Sequence, residues 1–250
     1  MIFDTHCHLG WDGEDAALAH ARAVQAGVTR ILLVGIDLPS SLSAKELATR
    51  LAGTAWSAGL HPNSAKEHAA SWTELAHLAR DPSCVAIGET GLDFYRDHAT
   101  QAEQKTALRD HLELARAIGK PVVLHCRAAF AALFAELEDF APCAGIMHCF
   151  SGGVAEARQA LELGLHLSFA GPLTYPKSDA LREAASFAPP ERLLVETDAP
   201  FLPPQPWRGK RNEPAYVTAT LAKLAEIRGE SFEAMAATTT ANARKLLRVP

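Results

Sequence analysis

The chain is short of most features that would classify it at a glance. No apolar run approaches the roughly 20 residues that a membrane-spanning helix requires. The opening Met1-Ile2-Phe3 passes directly into polar residues, with no basic leader and no apolar stretch behind it, so no secretory signal is expected. Cysteine is scarce: five residues, an odd count, none in C-x-x-C spacing. That argues against a disulfide framework and for reduced thiols in the cytoplasm. Excess positive charge is missing too, since 24 Lys and Arg face 29 Asp and Glu, a formal net charge of −5. The molecule as a whole therefore exerts no pull on nucleic acid or anionic lipid, and a bound polyanion would have to be held by local basic side chains or by metal. There is no internal repeat, no low-complexity tract and no linker; the Pro-rich stretch 199–209 is short enough to be a loop.

What is present is a rhythm. Short β-rich apolar runs recur at 2–6, 30–35, 54–60, 84–89, 121–126, 145–150, 165–170 and 192–197. Between them lie Ala- and Leu-rich stretches with helical periodicity. Several stretches end at a glycine suited to a left-handed cap (Gly27, Gly53, Gly119, Gly164), and two begin with capping-box patterns, Ser43 to Glu46 and Thr100 to Glu103. The tail from about Tyr216 to Leu247 reads as helix broken near Gly229. Strands alternating with helices imply parallel pairing. Eight such units in 250 residues suit an α/β fold of the (β/α)8 TIM-barrel type, a single domain over residues 1–250, with an open doubly wound sheet as the alternative.

The ends of these runs carry the chemistry. In Asp4-Thr5-His6-Cys7-His8, alternate side chains share a face, so His6 and His8 point the same way and Cys7 the other. In a barrel the inward face at the C-terminal end of a strand opens into the active-site mouth. At or just past other strand ends lie His61, Glu89, His125, His148 and Asp198. Taken singly, each has a plain structural reading: a buried histidine satisfying a hydrogen bond, a paired glutamate, an aspartate in a turn. Convergence from so many strands is what favours a site. Imidazoles and carboxylates suit borderline to hard divalent ions. Six candidate ligands (His6, His8, Glu89, His125, His148, Asp198) exceed the three that one catalytic zinc takes from protein. They fit two divalent metal ions, Zn, Mn or Mg, bridged by one carboxylate, an arrangement that clamps the attacking and leaving oxygens of a hydrolytic displacement.

The segments Asp4–Leu9, Gly59–Pro62, Gly88–Tyr95, Val122–Arg127, Met147–Gly152, Ser168–Ser178 and Val195–Val217 resemble, in order and over nearly the whole chain, the motifs of the TatD family of metal-dependent deoxyribonucleases. The pattern departs after Leu9, where Gly10 and Trp11 stand in place of an acidic or amide residue. The resemblance implies one metal on His6, His8 and Asp198, a second on His125 and His148, and Glu89 as the bridge. It also implies a substrate-facing His61 and a DNA substrate trimmed from a 3′ end, a single-stranded end being suited to a recessed centre. The reaction is then phosphodiester hydrolysis. Asp198 would orient the water and take its proton, and His61 would stabilise charge on the leaving oxygen or protonate it. Candidate substrate contacts are Asp93, Arg127, Lys177, Arg208, Lys210 and Arg211, with Tyr95, Tyr175 and Trp207 as stacking surfaces.

Asp4 and Glu196, each two residues before a ligand, are expected on the same inward face, supporting the ligands, with Glu196 a possible ligand itself. Cys7, Cys126 and Cys149 are expected to point outward and pack; His20, His68, His77, His98 and His111 carry no functional assignment. The protein is expected to act as a cytoplasmic monomer away from membranes. An amidohydrolase-type esterase or lactonase, or an aminoacyl-tRNA deacylase, would use the same two-metal site and is the alternative activity. A metal-stabilised scaffold without activity is the non-enzymatic one.

Overall fold

Eight parallel strands pair strictly in sequence order. In the computed structural model, which describes residues 1–250 apart from the side chain of Asp12, they are β1 (Ile2–Cys7), β2 (Val28–Val34), β3 (Thr54–Ala58), β4 (Cys84–Asp93), β5 (Val122–Arg127), β6 (Gly145–Met147), β7 (His166–Phe169) and β8 (Leu193–Val195). The sheet returns on itself. Cys7 and Ala199 form a parallel bridge, the His8 N–H donates to Ala199 O at 2.8 Å, and the Asp198 N–H donates to His6 O at 2.9 Å. The result is a single-domain (β/α)8 barrel, as the alternation implies.

Two concentric cores hold it. Inside the barrel, Phe3, Leu32, Val34, Ala86, Val123, Ile146 and Leu194 pack together with Ala243 and Leu247. The last two belong to α9 (Phe232–Leu247), which plugs the N-terminal end of the barrel. Outside, the alternate strand residues, among them Ile31, Leu33, Trp56, Ile87, Leu124 and Phe169, pack under the surrounding helices.

Local signals explain the helix boundaries, with one exception. The Thr100–Glu103 box forms: the Thr100 hydroxyl accepts the Glu103 N–H at 3.2 Å and the Glu103 carboxylate accepts the Thr100 N–H at 2.7 Å, opening α4 (Gln101–Ile118). The tail breaks between α8 (Val217–Arg228) and α9 at Gly229, whose φ of +64° suits a residue without Cβ. Ser43 does not start a helix. It lies inside α2 (Leu38–Arg50), whose start is set earlier by Asp37 and Ser40 capping one another and by Pro39 in the first turn.

Two β-bulges matter more than any boundary. Between β1 and β2, Asp4 pairs beside Ile31 and Cys7 beside Leu33, three residues of β1 against two of β2. Between β4 and β5, Ile87 pairs beside Val122 and Thr90 beside Leu124, again three against two. Phe3 and Ala86 face the barrel interior, so strict alternation would turn His6 and Glu89 outward. Each bulge adds the residue that turns them in. For the same reason Asp4 does not share a face with His6, contrary to expectation. β4 also runs four residues beyond the apolar run that announces it, to Asp93. By contrast, β6 and β8 stop at Met147 and Val195, short of their ligands.

Candidate metal centre

At the C-terminal mouth, Glu89 is buried and surrounded by imidazoles. Its Oε2 lies 3.2 Å from His6 Nε2 and 3.9 Å from His8 Nε2. Its Oε1 lies 2.9 Å from His125 Nδ1, 2.9 Å from His148 Nε2 and 3.5 Å from His61 Nε2. One carboxylate thus presents separate oxygens to two groups of nitrogen donors. Asp198 joins the first group, Oδ1 being 3.8 Å from His6 Nε2 and 3.7 Å from His8 Nε2. Its φ of +57° is tolerated by aspartate better than by most residues, and turns the chain back toward β1.

The proton positions follow from the outer partners. His8 Nδ1 contacts Val34 O at 2.9 Å; a carbonyl only accepts, so Nδ1 carries the hydrogen and Nε2 offers a bare lone pair inward. His148 Nδ1 faces the Glu196 carboxylate at 3.2 Å, and His125 Nε2 lies 3.4 Å from Asp93; with Glu89 on the inward side, the flanking carboxylates hold both imidazoles above their usual range against burial, so a cation would take the place of the inward proton. The inward nitrogens crowd one another: His6 and His8 Nε2 are 3.2 Å apart, as are His125 Nδ1 and His148 Nε2. The donor atoms of His6, Glu89 and His148, of His6, His8 and Asp198, and of His61, Glu89 and His125 form three sets, each within 4.8 Å. Such a crowd of acceptors fits divalent cations.

His61 differs. Its Nδ1 accepts the Asn63 N–H at 3.0 Å, so the neutral ring carries its hydrogen on Nε2, pointing into the site as a donor. Burial pushes its pKa down to about 3, so at neutral pH it offers a hydrogen bond and not a full charge.

Electrostatics reinforce this picture. Burial would raise the Glu89 carboxyl, but His148, His61, His6 and His125 hold it well below the usual range. Burial and the carboxylates of Glu89 and Glu196, against the pull of His148, push Asp198 up to about 7, the mark of an acid lacking a cationic partner. Burial also drives Asp4 up to about 8.

Asp4 and Glu196 have different roles. Asp4 accepts the Thr197 N–H at 2.8 Å and its hydroxyl at 2.6 Å, stitching β8 to β1 without touching a candidate ligand ring. Glu196 accepts the Cys149 N–H at 2.7 Å and orients His148 from behind. Asp93, expected either to reach the site or to cap its loop, lies 3.4 Å from His125 and accepts the Tyr95 and Arg96 N–H groups at 3.0 and 3.1 Å, the loop cap. Arg211 is also spoken for: it donates to Trp11 O at 2.6 Å and lies 3.6 Å from Glu14.

Among the remaining cations, Arg127 lies 3.8 Å over the exposed Tyr95 ring and Arg208 lies 4.1 Å over Tyr175. Lys177 and Lys210 are exposed. Trp207 stacks on Tyr216 at 4.0 Å, so that face is closed to a base. Cys7 is buried in the outer core, and Cys126 packs against it. Cys149 is half-buried, and its φ of +43° lies where β6 has already ended, so strand alternation does not set its direction.

One histidine the sequence left unassigned supports the site. His111 on α4 is buried, donates from Nδ1 to Ala107 O at 2.6 Å, and accepts the Leu60 N–H on Nε2 at 3.0 Å, directly before His61. Nothing in its helical position signals this. Burial pushes its pKa down to about 4. A folded-state value below the ordinary 6.5 means its stabilisation is complete above about pH 6.5 and lost as pH falls through 4. His111→Leu is expected to lower unfolding free energy by about 2 kcal/mol at pH 7.5, the cost of an unmet buried N–H. Urea titrations should show the gap to wild type shrinking as the pH is lowered from 6.5 to 4.

A model of the family "TatD related DNase" matches residues 3–248. The chain belongs to the TatD family. TatD relatives include the metal-dependent hydrolase YabD of Bacillus subtilis, 37% identical with both chains fully covered. The 3'-5' ssDNA/RNA exonuclease TatD of Klebsiella pneumoniae is 41% identical over 93% of this chain and 90% of its own. The crystal structure of YjjV, a TatD homologue from Escherichia coli, superposes with a TM-score of 0.93 at 30% identity, covering 100% of this chain and 98% of that one. As a TatD-family protein it is a metal-dependent hydrolase. Among the described residues, no helix is long and apolar enough to cross a membrane.

Proposed function

We propose that this chain, as one catalytic domain over residues 1–250, is a two-metal nuclease that removes nucleotides from the 3′ end of single-stranded nucleic acid, acting as a monomer in the cytoplasm. The observation that carries the reading is Glu89, whose two oxygens each face a separate set of inward imidazole nitrogens. His6, His8 and Asp198 would hold one divalent ion, His125 and His148 the other, and Glu89 both. Bound Zn, Mn or Mg ions would polarise the phosphoryl oxygens and lower the pKa of a water.

The side chains do the rest. Asp198 orients that water and accepts its proton as the water oxygen bonds to phosphorus. The bond from phosphorus to the leaving sugar oxygen breaks, and the His61 Nε2–H donates to the charge that develops there. Glu196 and Asp93 keep His148 and His125 in the tautomers that face inward. Arg127 and Arg208, held flat on aromatic rings, keep guanidinium edges available for phosphates along the incoming strand. The names of the Klebsiella and related TatD exonucleases favour the same substrate class.

Digestion of a 5′-labelled single-stranded oligonucleotide with added Mn or Mg is expected to shorten it stepwise from the 3′ end. His61→Ala should lower kcat on the order of 10²-fold, the usual cost of one donor to a developing charge. A protein that leaves the oligonucleotide whole while hydrolysing an aminoacyl ester of tRNA would replace this reading with the deacylase alternative.

A further inference from the structure

After Leu9, Gly10 (φ +81°) leads into a turn that sets Trp11 beside the centre. The indole lies 5.7 Å from the His8 ring, and Phe201, from the loop after β8, lies 5.7 Å from Trp11 and 6.2 Å from His8. The two rings meet edge to face at 72°. They form a wedge at the β8–β1 edge of the mouth, and it is not buried: Phe201 is 44% exposed and its neighbour Leu202 39%. Trp11 also lines, with His8, Gly10, Ser40 and Ser43, a cleft of about 100 Å³.

This exposed apolar surface is rigidly built. The buried Asn212 amide donates to Phe201 O at 2.6 Å, the Phe201 N–H donates to Asp198 O at 2.8 Å, and Arg211 clamps Trp11 O. Three elements of the loop after β8 are thus committed to holding two aromatic rings in place with their faces partly in solvent. Aromatic area held in this way is costly unless a flat apolar partner covers it.

Given the nuclease reading on which this rests, we infer that the Trp11–Phe201 wedge is the seat for the terminal 3′ nucleobase, stacked beside His8 and Asp198 while its phosphate lies on the centre. A base and its phosphate are separated by one sugar, the spacing that a wedge within 6.2 Å of a candidate ligand allows. Arg211, 3.6 Å from Glu14, holds Trp11 O and with it the position of the wedge. The opposite rim, with Tyr95 on Arg127, takes the strand's approach.

The test crosses enzyme with substrate. Wild type, Trp11→Ala, Trp11→Phe and Phe201→Ala are each assayed on a single-stranded oligonucleotide with a natural 3′ nucleotide and on one whose last residue is abasic. Stacking on one base predicts about a tenfold rise in KM on Trp11→Ala with the natural end and an unchanged kcat. The abasic end should show the same rise with wild type, and no further rise with Trp11→Ala. Trp11→Phe should recover most of the loss, and metal content and melting temperature should match wild type. A KM for Trp11→Ala that rises equally on both substrates, or does not rise, removes the base seat and leaves the nuclease. A wild type that cuts neither oligonucleotide removes the nuclease reading and the base seat with it.

Discussion

Glu89→Gln is expected to abolish hydrolysis, lowering kcat/KM on the order of 10³-fold or more. A bound cation contributes several kcal/mol of charge stabilisation, and each 1.36 kcal/mol is tenfold in rate. Glu89 is placed against both halves of the site, with oxygens 3.2 Å from His6 and 2.9 Å from His125 and His148. Glutamine keeps the shape, but it removes the charge and presents an N–H to nitrogens that need a cation. Metal content per chain, measured by elemental analysis after dialysis, should fall with activity. The fold should survive, because the inner and outer cores do not depend on the carboxylate. A Glu89→Gln protein that retains both its metal and its rate would show that the two sets of nitrogens act without a bridge.

Asp198→Asn should move activity and stability in opposite directions. Activity should fall on the order of 10³-fold, since the side chain that takes the water's proton and completes the His6–His8 set becomes neutral. Asparagine tolerates the same left-handed backbone, so the turn is kept. In chelator-treated protein, burial and the neighbouring carboxylates raise the Asp198 pKa to about 7, far above its ordinary 3.8. A raised value means the favourable contribution is complete below about pH 3.8 and lost as pH rises through 7. Chelated Asp198→Asn should therefore melt above chelated wild type at pH 8, and the gap should close toward pH 4. Saturating metal should reverse the order at pH 8, because only wild type then gains the full binding energy. Thermal denaturation at the two pH values, with and without metal, reads all four corners.

Much of the site is legible in the one-dimensional pattern because a parallel barrel puts every strand's C-terminal end on one face. Strand ends can be found from apolar runs, and a polar residue at such an end has one destination. His6, His8, Glu89, His125, His148 and Asp198 are brought together on that basis, and His61 beside them. Alternation is less dependable, because it assumes a regular ladder. Asp4 was expected inside with His6, and the β1 bulge separates them. Glu89 would face outward by count alone, and the β4 bulge turns it in. Cys149 escapes the count because β6 ends before it.

Loop residues are harder still, since sequence shows charge but not partners. Arg211 and Asp93 have the composition of substrate contacts, yet one clamps Trp11 and the other backs His125. His111 looks like any helix residue, and its use is set by a contact 51 positions away in the chain. The sequence by itself determined the barrel, the face that does chemistry and the donors that reach it, because strand-and-helix rhythm and residue type are local properties. Only the tertiary structure decided which way His6 and Glu89 turn, which nitrogen of His8 and of His61 carries the hydrogen, and which rim side chains remain open to a substrate, because bulges, tautomers and loop clamps are fixed by neighbours distant in sequence.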